Sequence, residues 1–166
     1  MTKILLLSDT HGHLDSAILK YVAQADEVWH AGDIGSLKVA DTLSKLKPLR
    51  AVYGNIDDNR IQKEFPLNHR FLCEEVKVYM THIGGYPPKY NPRTRKEIQE
   101  NPPKLFICGH SHILKVMMDK ERKILHMNPG ACGRHGFHQV RTMLRFAIDG
   151  SDIKNLEVVE LGKRHS

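Results

Sequence analysis

The chain has 166 residues, of which 40% are hydrophobic and 27% are charged, a composition typical of a soluble globular protein and not of a disordered tail. Its 25 Lys and Arg residues against 19 Asp and Glu residues give a formal net charge of +6, which mildly favours anionic partners. The apolar run at residues 4–7 is too short for a membrane span or a signal sequence, and the three cysteines form no paired motif. We therefore expect one cytoplasmic domain over residues 1–166, with reduced thiols and no membrane attachment.

The first half of the chain alternates short apolar strands with helices. Strands are predicted over residues 3–7, 27–31 and 50–53, because each of these apolar runs ends at polar or glycine residues. Helices are predicted over residues 14–24 and from Ser36, a residue type that caps helices, to the residues before Pro48. Such alternation is typical of a parallel sheet covered by helices.

The second half is richer in strands. Hairpins are predicted over residues 69–73 with 76–81 and over residues 113–118 with 122–127. Between them we expect a Gly- and Pro-rich loop from Gly84 to Pro92, a helix near residues 93–100 and an apolar strand over residues 104–108. Strands over residues 140–148 and 153–161 complete a single α/β domain without internal repeats.

Seven side chains that can bind a metal follow the ends of predicted strands. They are Asp9, His11, Asp33, Asn55, His82, His110 and His112. Ligands of open α/β sheets collect at this edge, so we expect the seven side chains to converge. Carboxylate, carboxamide and imidazole groups without thiolate suit divalent Mn, Fe, Zn, Co or Ni. Seven ligands exceed what one ion needs beside a substrate, whereas two ions about 3.5–4 Å apart that share a carboxylate would use them all.

The order of these motifs resembles a known family. The motifs Asp9-x-His11, Gly32-Asp33, Gly54-Asn55, a single His82 and Gly109-His110-Ser111-His112 resemble, in order, those of the calcineurin-like metallophosphoesterases. The short chain and the Asn128-Pro129-Gly130 turn resemble the small bacterial and archaeal phosphodiesterase branch of that family. The resemblance implies the α/β/β/α four-layer fold, in which a sandwich of two β-sheets is flanked by helices.

The same resemblance implies a role for each ligand. Asp9, His11 and His112 would hold one ion, Asn55, His82 and His110 would hold the other, and Asp33 would bridge the two. The family's activity is metal-dependent hydrolysis of a phosphate ester by in-line attack of a metal-bridging hydroxide. We accordingly expect a phosphodiesterase that acts on a small soluble phosphate ester with two Mn²⁺ ions.

One position departs from the wider family. Many relatives have a histidine directly after the Gly-Asn pair, thought to protonate the leaving oxygen, whereas this chain has Ile56. We expect Asn55 and Asp57 to act in catalysis, with Asp57, His135 and His138 as the candidate replacement donors. Because Ile56 transfers no proton, esters of acidic alcohols such as nitrophenol should be hydrolysed far better than alkyl esters.

Several alternatives stay open at this stage. Arg134 and His135 are candidate contacts for the substrate phosphate, although a solvated loop explains them equally well. A subunit of the eukaryotic retromer coat resembles the same small branch and works mainly as an interaction surface. The alternative function is therefore a non-catalytic scaffold, but the seven competent ligand positions favour an enzyme. Nucleic-acid binding is not expected, because no basic pattern interleaved with aromatic residues is present, and a single sequence does not distinguish a monomer from a homodimer or larger assembly.

Overall fold

The computed structural model describes residues 1–165 and contains two five-stranded sheets that pack face to face. In spatial order, the first sheet consists of β12 (Asp152–Lys163), β11 (Val140–Asp149), β1 (Thr2–Leu7), β2 (Glu27–His30) and β3 (Leu49–Ala51). Strands β1, β2 and β3 are parallel, and the antiparallel pair β11 and β12 extends the sheet on the other side of β1. The parallel half of this sheet is the part that the alternation of strands and helices predicts.

The second sheet comes from the strand-rich half of the chain. Its spatial order is β4 (Asn68–Cys73), β5 (Val76–Thr81), β8 (Leu105–Ile107), β10 (Ile124–Pro129) and β9 (Leu114–Asp119). The three central strands are parallel, and β4 and β9 pair with them as antiparallel edge strands. A short separate hairpin is formed by β6 (Gly85–Tyr86) and β7 (Lys89–Tyr90).

Four helices connect these strands: α1 (Ser16–Gln24), α2 (Leu37–Leu46), α3 (Asn59–Glu64) and α4 (Pro92–Glu100). The side chains of Asp15, Asp58 and Asn91 cap α1, α3 and α4 by accepting hydrogen bonds from backbone N–H groups of the first turn. Ser36 occupies the N-cap position of α2, but its side chain makes no capping bond. Within residues 1–165, none of the helices has the length and apolar character of a membrane span.

The side chains of β1 alternate between two hydrophobic layers, as the period of a strand requires. Ile4 and Leu6 face the second sheet, where they belong to one cluster with residues such as Met80. Leu5 and Leu7 face α1 and α2 and belong to a second cluster, and α4 covers the outer face of the second sheet through Ile98. The predicted order of helix, sheet, sheet and helix layers is therefore confirmed.

The structure also differs from the sequence-based expectations in two places. Helix α3 was not predicted, because its six residues contain one buried apolar side chain, Ile61, and so show no helical period. The segment from Gly84 to Pro92, expected to be a loop, contains the β6–β7 hairpin and the start of α4. Both are short elements, and tertiary contacts rather than local periodicity define them.

Candidate metal centre

The structure brings the seven predicted metal ligands to one edge of the two sheets. Asp9 and His11 follow β1, Asp33 follows β2, Asn55 follows β3, His82 follows β5, and His110 and His112 follow β8. Six of them form two groups whose ligand atoms lie within 4.8 Å of one another: Asp9 with His11 and His112, and Asp33 with His82 and His110. Asn55 joins the second group, with its Oδ1 atom 3.1 Å from Nδ1 of His110.

Asp9 is the centre of the first group. Its Oδ1 atom lies 3.2 Å from Nε2 of His112 and 3.8 Å from Nε2 of His11. The other oxygen, Oδ2, accepts hydrogen bonds from the Ser8 hydroxyl at 2.6 Å and from the backbone N–H of His110 at 3.2 Å. These bonds fix the carboxylate so that Oδ1 faces the two imidazoles.

In the second group, Oδ2 of Asp33 lies 3.1 Å from Nε2 of His82. The opposite ring nitrogen of His82 donates to the backbone carbonyl of Ala31 at 2.7 Å, because a carbonyl oxygen only accepts. This bond fixes the tautomer and leaves the Nε2 lone pair for a ligand, an arrangement common among metal-binding histidines. Oδ1 of Asp33 accepts from the backbone N–H of Ile56 at 3.2 Å, which orients the carboxylate.

The two groups adjoin each other. Oδ2 of Asp33 is 3.5 Å from Nε2 of His11, and Oδ1 of Asp9 is 3.8 Å from Nε2 of His82. Three of these atoms, Asp9 Oδ1, His11 Nε2 and His82 Nε2, are buried and have no hydrogen-bond partner. Each such atom costs about 1–3 kcal/mol unless it is satisfied. A cluster of unpartnered oxygen and imidazole nitrogen atoms fits divalent cations, with Asp33 placed between the groups.

Electrostatics keep the carboxylate of Asp9 ionised. Burial opposes ionisation, but the nearby imidazoles of His11, His112 and His82 and the hydrogen bond from Ser8 outweigh it and hold the pKa of Asp9 far below its ordinary value. For His82, burial alone would lower the pKa, but Asp33 and Asp9 reverse this effect and raise it. The carboxylates thus attract positive charge to the site, from protons or from metal ions.

Backbone strain is concentrated at the same residues. Five of the ligands have positive φ angles: Asp9 (56°), His11 (46°), Asp33 (56°), His110 (70°) and His112 (61°). Residues other than glycine adopt this conformation at an energetic cost, and such strain persists where the surrounding structure imposes it, commonly at functional sites. The left-handed conformations at the strand ends support a functional role for this edge.

Glycine is required where neighbouring loops approach the carboxylates closely. A Cβ atom on Gly54 would lie 2.8 Å from Cγ of Asp33, and one on Gly109 would lie 2.9 Å from Oδ2 of Asp9. Both distances are shorter than real Cβ contacts. The glycines of the Gly-Asn and Gly-His motifs therefore make room for the two aspartates.

The carboxylate of Asp57, a predicted proton donor, is hydrogen-bonded to the backbone. Its carboxylate accepts from the backbone N–H groups of Gly54 at 2.7 Å, Gly35 at 2.8 Å and Ile34 at 3.1 Å, and the residue is only 4% exposed. Both oxygens are therefore occupied as acceptors inside the protein. These bonds give Asp57 the task of joining the loop after Asp33 to the loop before Asn55, and its role as a proton donor stays a prediction.

The other candidate donors and substrate contacts lie on the loop of residues 133–138. The ring of His135 is exposed and its centroid lies 4.7 Å from that of His11, whereas His138 packs edge-on against His112 and its Nε2 atom donates to the carbonyl of Gly133. Arg134 donates to the carbonyl of Arg164 near the end of the described chain. Of the two predicted phosphate contacts, His135 is therefore the one that the structure brings against a candidate ligand.

Two buried polar side chains support the ligands from behind: the sequence favours a supporting or packing role for His30, next to Asp33, but it does not single out Thr10. The hydroxyl of Thr10 donates to the carbonyl of Ile34 at 2.8 Å and contacts Nε2 of His30 at 3.0 Å, while Nδ1 of His30 accepts from the N–H of Gly32. Burial lowers the pKa of His30 to about 3, so that its ring is neutral. The signal for Thr10 in the sequence is weak, because it is only a polar residue between the two ligands of the first motif.

Comparison with known proteins gives concordant matches. Residues 2–151 match the model of the calcineurin-like phosphoesterase superfamily domain. A probable metallophosphoesterase of Methanothermobacter thermautotrophicus is 28% identical over 131 residues, which cover 76% of this chain and 74% of that protein.

Solved structures with the same fold include an archaeal phosphodiesterase and a zinc complex of Vps29 from Entamoeba histolytica. The first is 24% identical with a TM-score of 0.75, and the match covers 96% of this chain and 99% of that one. The second is 16% identical with a TM-score of 0.73, and the match covers 95% and 98%. At these identities the two structures establish a shared fold.

Proposed function

The chain belongs to the calcineurin-like phosphoesterase superfamily, and we propose that it is a metal-dependent phosphodiesterase that hydrolyses a small phosphate ester in the cytoplasm. The observation that carries this proposal is the convergence of seven ligand side chains, three of which present buried atoms without hydrogen-bond partners. The archaeal phosphodiesterase with the same fold supports the choice of phosphodiesters.

We propose that the site holds two divalent ions, with Mn²⁺ as the expected metal and Fe, Zn, Co and Ni as compatible ones. Asp9, His11 and His112 would hold one ion, Asn55, His82 and His110 the other, and Asp33 both. When bound, such a pair supplies a hydroxide nucleophile near neutral pH and positive charge that stabilises the phosphoryl oxygens. The ligand side chains are already oriented for this task by their hydrogen bonds to Ser8, Ala31 and Ile56.

We further propose that the whole chain is one domain. The family match ends at residue 151, but β12 beyond it pairs with β11 over most of its length. Val159 of β12 is buried in the cluster that contains α1 and α2. The C-terminal strand is thus a structural part of the first sheet.

The decisive experiment removes the carboxylate that would bridge the ions. Metal-stripped protein is reconstituted with Mn²⁺ and assayed on bis(p-nitrophenyl) phosphate and p-nitrophenyl phosphate. Asp33→Ala and the near-isosteric Asp33→Asn should both lose Mn²⁺-dependent turnover and bind fewer Mn²⁺ equivalents by calorimetry, because each loses the shared ligand. Asp41→Ala, on the exposed surface of α2, should behave as the unmodified protein does.

The possible outcomes separate the two candidate functions. Turnover that survives both Asp33 substitutions would refute the proposed site. Binding of Mn²⁺ by the unmodified protein without any turnover on either ester would instead favour a non-catalytic scaffold, the function left open by the resemblance to the retromer subunit.

The dependence of the hydrolysis rate on the leaving group tests the effect of having Ile56 where many relatives have a proton-donating histidine. Its side chain is 47% exposed and transfers no proton, and Asp57 is engaged by three backbone N–H groups. We expect kcat/KM for an ester to fall steeply as the pKa of its leaving alcohol rises, so that ethyl p-nitrophenyl phosphate is far more reactive than diethyl phosphate. Equal rates on the two esters would show that another residue donates the proton.

A further inference from the structure

A cavity of about 320 Å³ lies next to the metal centre, with His110 in its lining. Its walls come from the β6–β7 hairpin, the segment after β8, and strands β9 and β10. Ligand pockets in proteins are usually about 300–1,000 Å³. This cavity is therefore large enough for one small organic group but too small for a segment of a polymer.

Large apolar side chains line the cavity and are exposed to solvent. Ile83, Tyr86 and Ile113 are 40%, 42% and 62% exposed. Exposed apolar side chains that gather around one cavity commonly mark a binding site. Because they lie beside the candidate metal centre, they are placed to contact the organic part of a phosphate ester.

The cavity is also positively charged. Lys89 and Lys115 are among its lining residues, and no Asp or Glu is among them. The ammonium group of Lys115 lies 3.6 Å from the centroid of the Tyr86 ring, a cation–π contact that holds the charge at the wall. His126 also lines the cavity, but it is buried and donates through Nδ1 to the carbonyl of Phe106, as a neutral ring does. Lys115 is thus a fixed cation in a mostly apolar cavity.

We propose that this cavity selects phosphate esters whose organic group is aromatic and carries a second negative charge, and that Lys115 is the specificity-determining residue. The inference rests on the proposed function, because it requires the scissile phosphate to lie at the metal centre beside His110. The apolar walls would pack against the ring, and Lys115 would pair with an anionic substituent such as a carboxylate. Neither contact involves the metal ligands.

Phosphonates test this inference without turnover, since their carbon–phosphorus bond is not hydrolysed. Binding to the Mn²⁺-loaded protein is measured by calorimetry for four probes in turn. Methylphosphonate reports the metal centre, phenylphosphonate adds a ring, and 3- and 4-phosphonobenzoate add a carboxylate at two positions. We expect the ring to tighten binding about tenfold and the better-placed carboxylate to tighten it about tenfold again, each factor of ten corresponding to about 1.4 kcal/mol.

Variants then assign each gain to its residue. Lys115→Met should abolish the gain from the carboxylate and keep the affinity for methylphosphonate, whereas Lys115→Arg should retain most of that gain. Ile113→Ser should reduce the gain from the ring. Lys38→Met, an exposed lysine of α2 outside the cavity, should change none of the affinities.

The failure of this inference is distinguishable from that of the proposed function. If methylphosphonate binds but phosphonobenzoates bind no more tightly than phenylphosphonate, the inference is wrong and the metal centre stands. The same conclusion follows if Lys115→Met leaves the gain from the carboxylate intact. If methylphosphonate itself does not bind, both the proposed metal centre and this inference are overturned.

Discussion

The candidate metal centre has two flanks that are built differently. On the flank of His112, the loop of residues 133–138 packs directly against candidate ligands, with the His135 ring 4.7 Å from that of His11 and the His138 ring 5.3 Å from that of His112. On the flank of His110, the β6–β7 hairpin and Lys115 border a cavity of about 320 Å³. One flank supports the ligands, and the other leaves space beside them.

The two flanks are also held in place by different hydrogen bonds. The start of the 133–138 loop is tied to the end of β1 by backbone hydrogen bonds from Cys132 to Ser8 and from Gly133 to Asp9. Among the residues that the structure describes, the β6–β7 hairpin makes no such bond to β1: Arg93 donates to the carbonyl of Ile83, just before the hairpin, and the thiol of Cys108 donates to the carbonyl of Gly85. We therefore expect changes in the hairpin to alter which substrates bind, and changes on the His112 flank to alter metal binding.

The largest effect on stability is expected at the anchor of the His112 flank. Arg141 is buried and donates to the carbonyl of Cys132 at 2.8 Å and to the carboxylate of Asp15 at 2.7 Å. Arg141→Met removes the donor of the buried Cys132 carbonyl and the partner of the partly exposed Asp15 carboxylate, so it should lower the free energy of unfolding by about 2 kcal/mol. Urea denaturation of the metal-free protein measures this change.

Another arginine of β11 provides the matched control. Arg145 pairs with Glu157 at 2.7 Å, but both side chains are largely exposed. Exposed pairs contribute little, so Arg145→Met should cost less than about 1 kcal/mol. Equal losses in the two variants would show that the Arg141 contacts do not anchor the flank.

A second prediction separates the flanks by their effect on metal binding. Gly136 has a φ of 131°, and a Cβ atom there would lie 2.6 Å from Cε1 of His112. Gly136→Ala should therefore displace His112 or the loop and weaken Mn²⁺ binding by about tenfold, the lower end of what displaced ligand supports cost. Calorimetric titration of the metal-free protein with Mn²⁺ measures the affinity.

The counterpart on the other flank is Tyr86→Ala. Its ring lines the cavity and contacts Lys115 but none of the candidate ligands, so Mn²⁺ affinity should stay the same. If Tyr86→Ala weakened Mn²⁺ binding as much as Gly136→Ala, the division between a supporting flank and a substrate flank would fail.

The ligand set could be predicted from the sequence because each ligand follows an apolar strand within a local motif. Asp9, Asp33 and His82 each come directly after a strand or within three residues of its end, and parallel strands bring such positions to one edge. The alternation of strands and helices predicts the parallel half of the first sheet, and the resemblance of the motifs to the family implies the four-layer fold. These features depend on short-range patterns and on general rules of sheet topology.

The flanks could not be predicted, because long-range contacts define them. The cation–π contact between Lys115 and Tyr86 joins two separate hairpins, and the packing of His135 on His11 joins opposite ends of the chain. The contacts of Asp57 were not foreseen for the same reason: the N–H groups of Ile34 and Gly35 that donate to it come from another loop. From the sequence alone, Asp57 is a carboxylate next to Ile56, the position where many relatives have a proton-donating histidine.

The smallest expected effect concerns His126, at the cavity on the His110 flank. Burial lowers its pKa to about 4 from an ordinary value of 6.5, so the folded protein keeps the ring neutral. The unfolded chain takes up a proton at this position below pH 6.5 and the folded chain does not, so acidification favours unfolding. Between about pH 6.5 and pH 5.5 this histidine should cost the folded state about 1 kcal/mol.

His126→Gln should remove that share of the pH dependence of the free energy of unfolding. Urea denaturation of the unmodified protein and the variant at the two pH values, without metal, measures the difference. An unchanged pH dependence in His126→Gln would mean that the ring is protonated in the folded protein. The cavity would then contain a second fixed cation beside Lys115, and its preference for anionic substituents would no longer depend on the lysine alone.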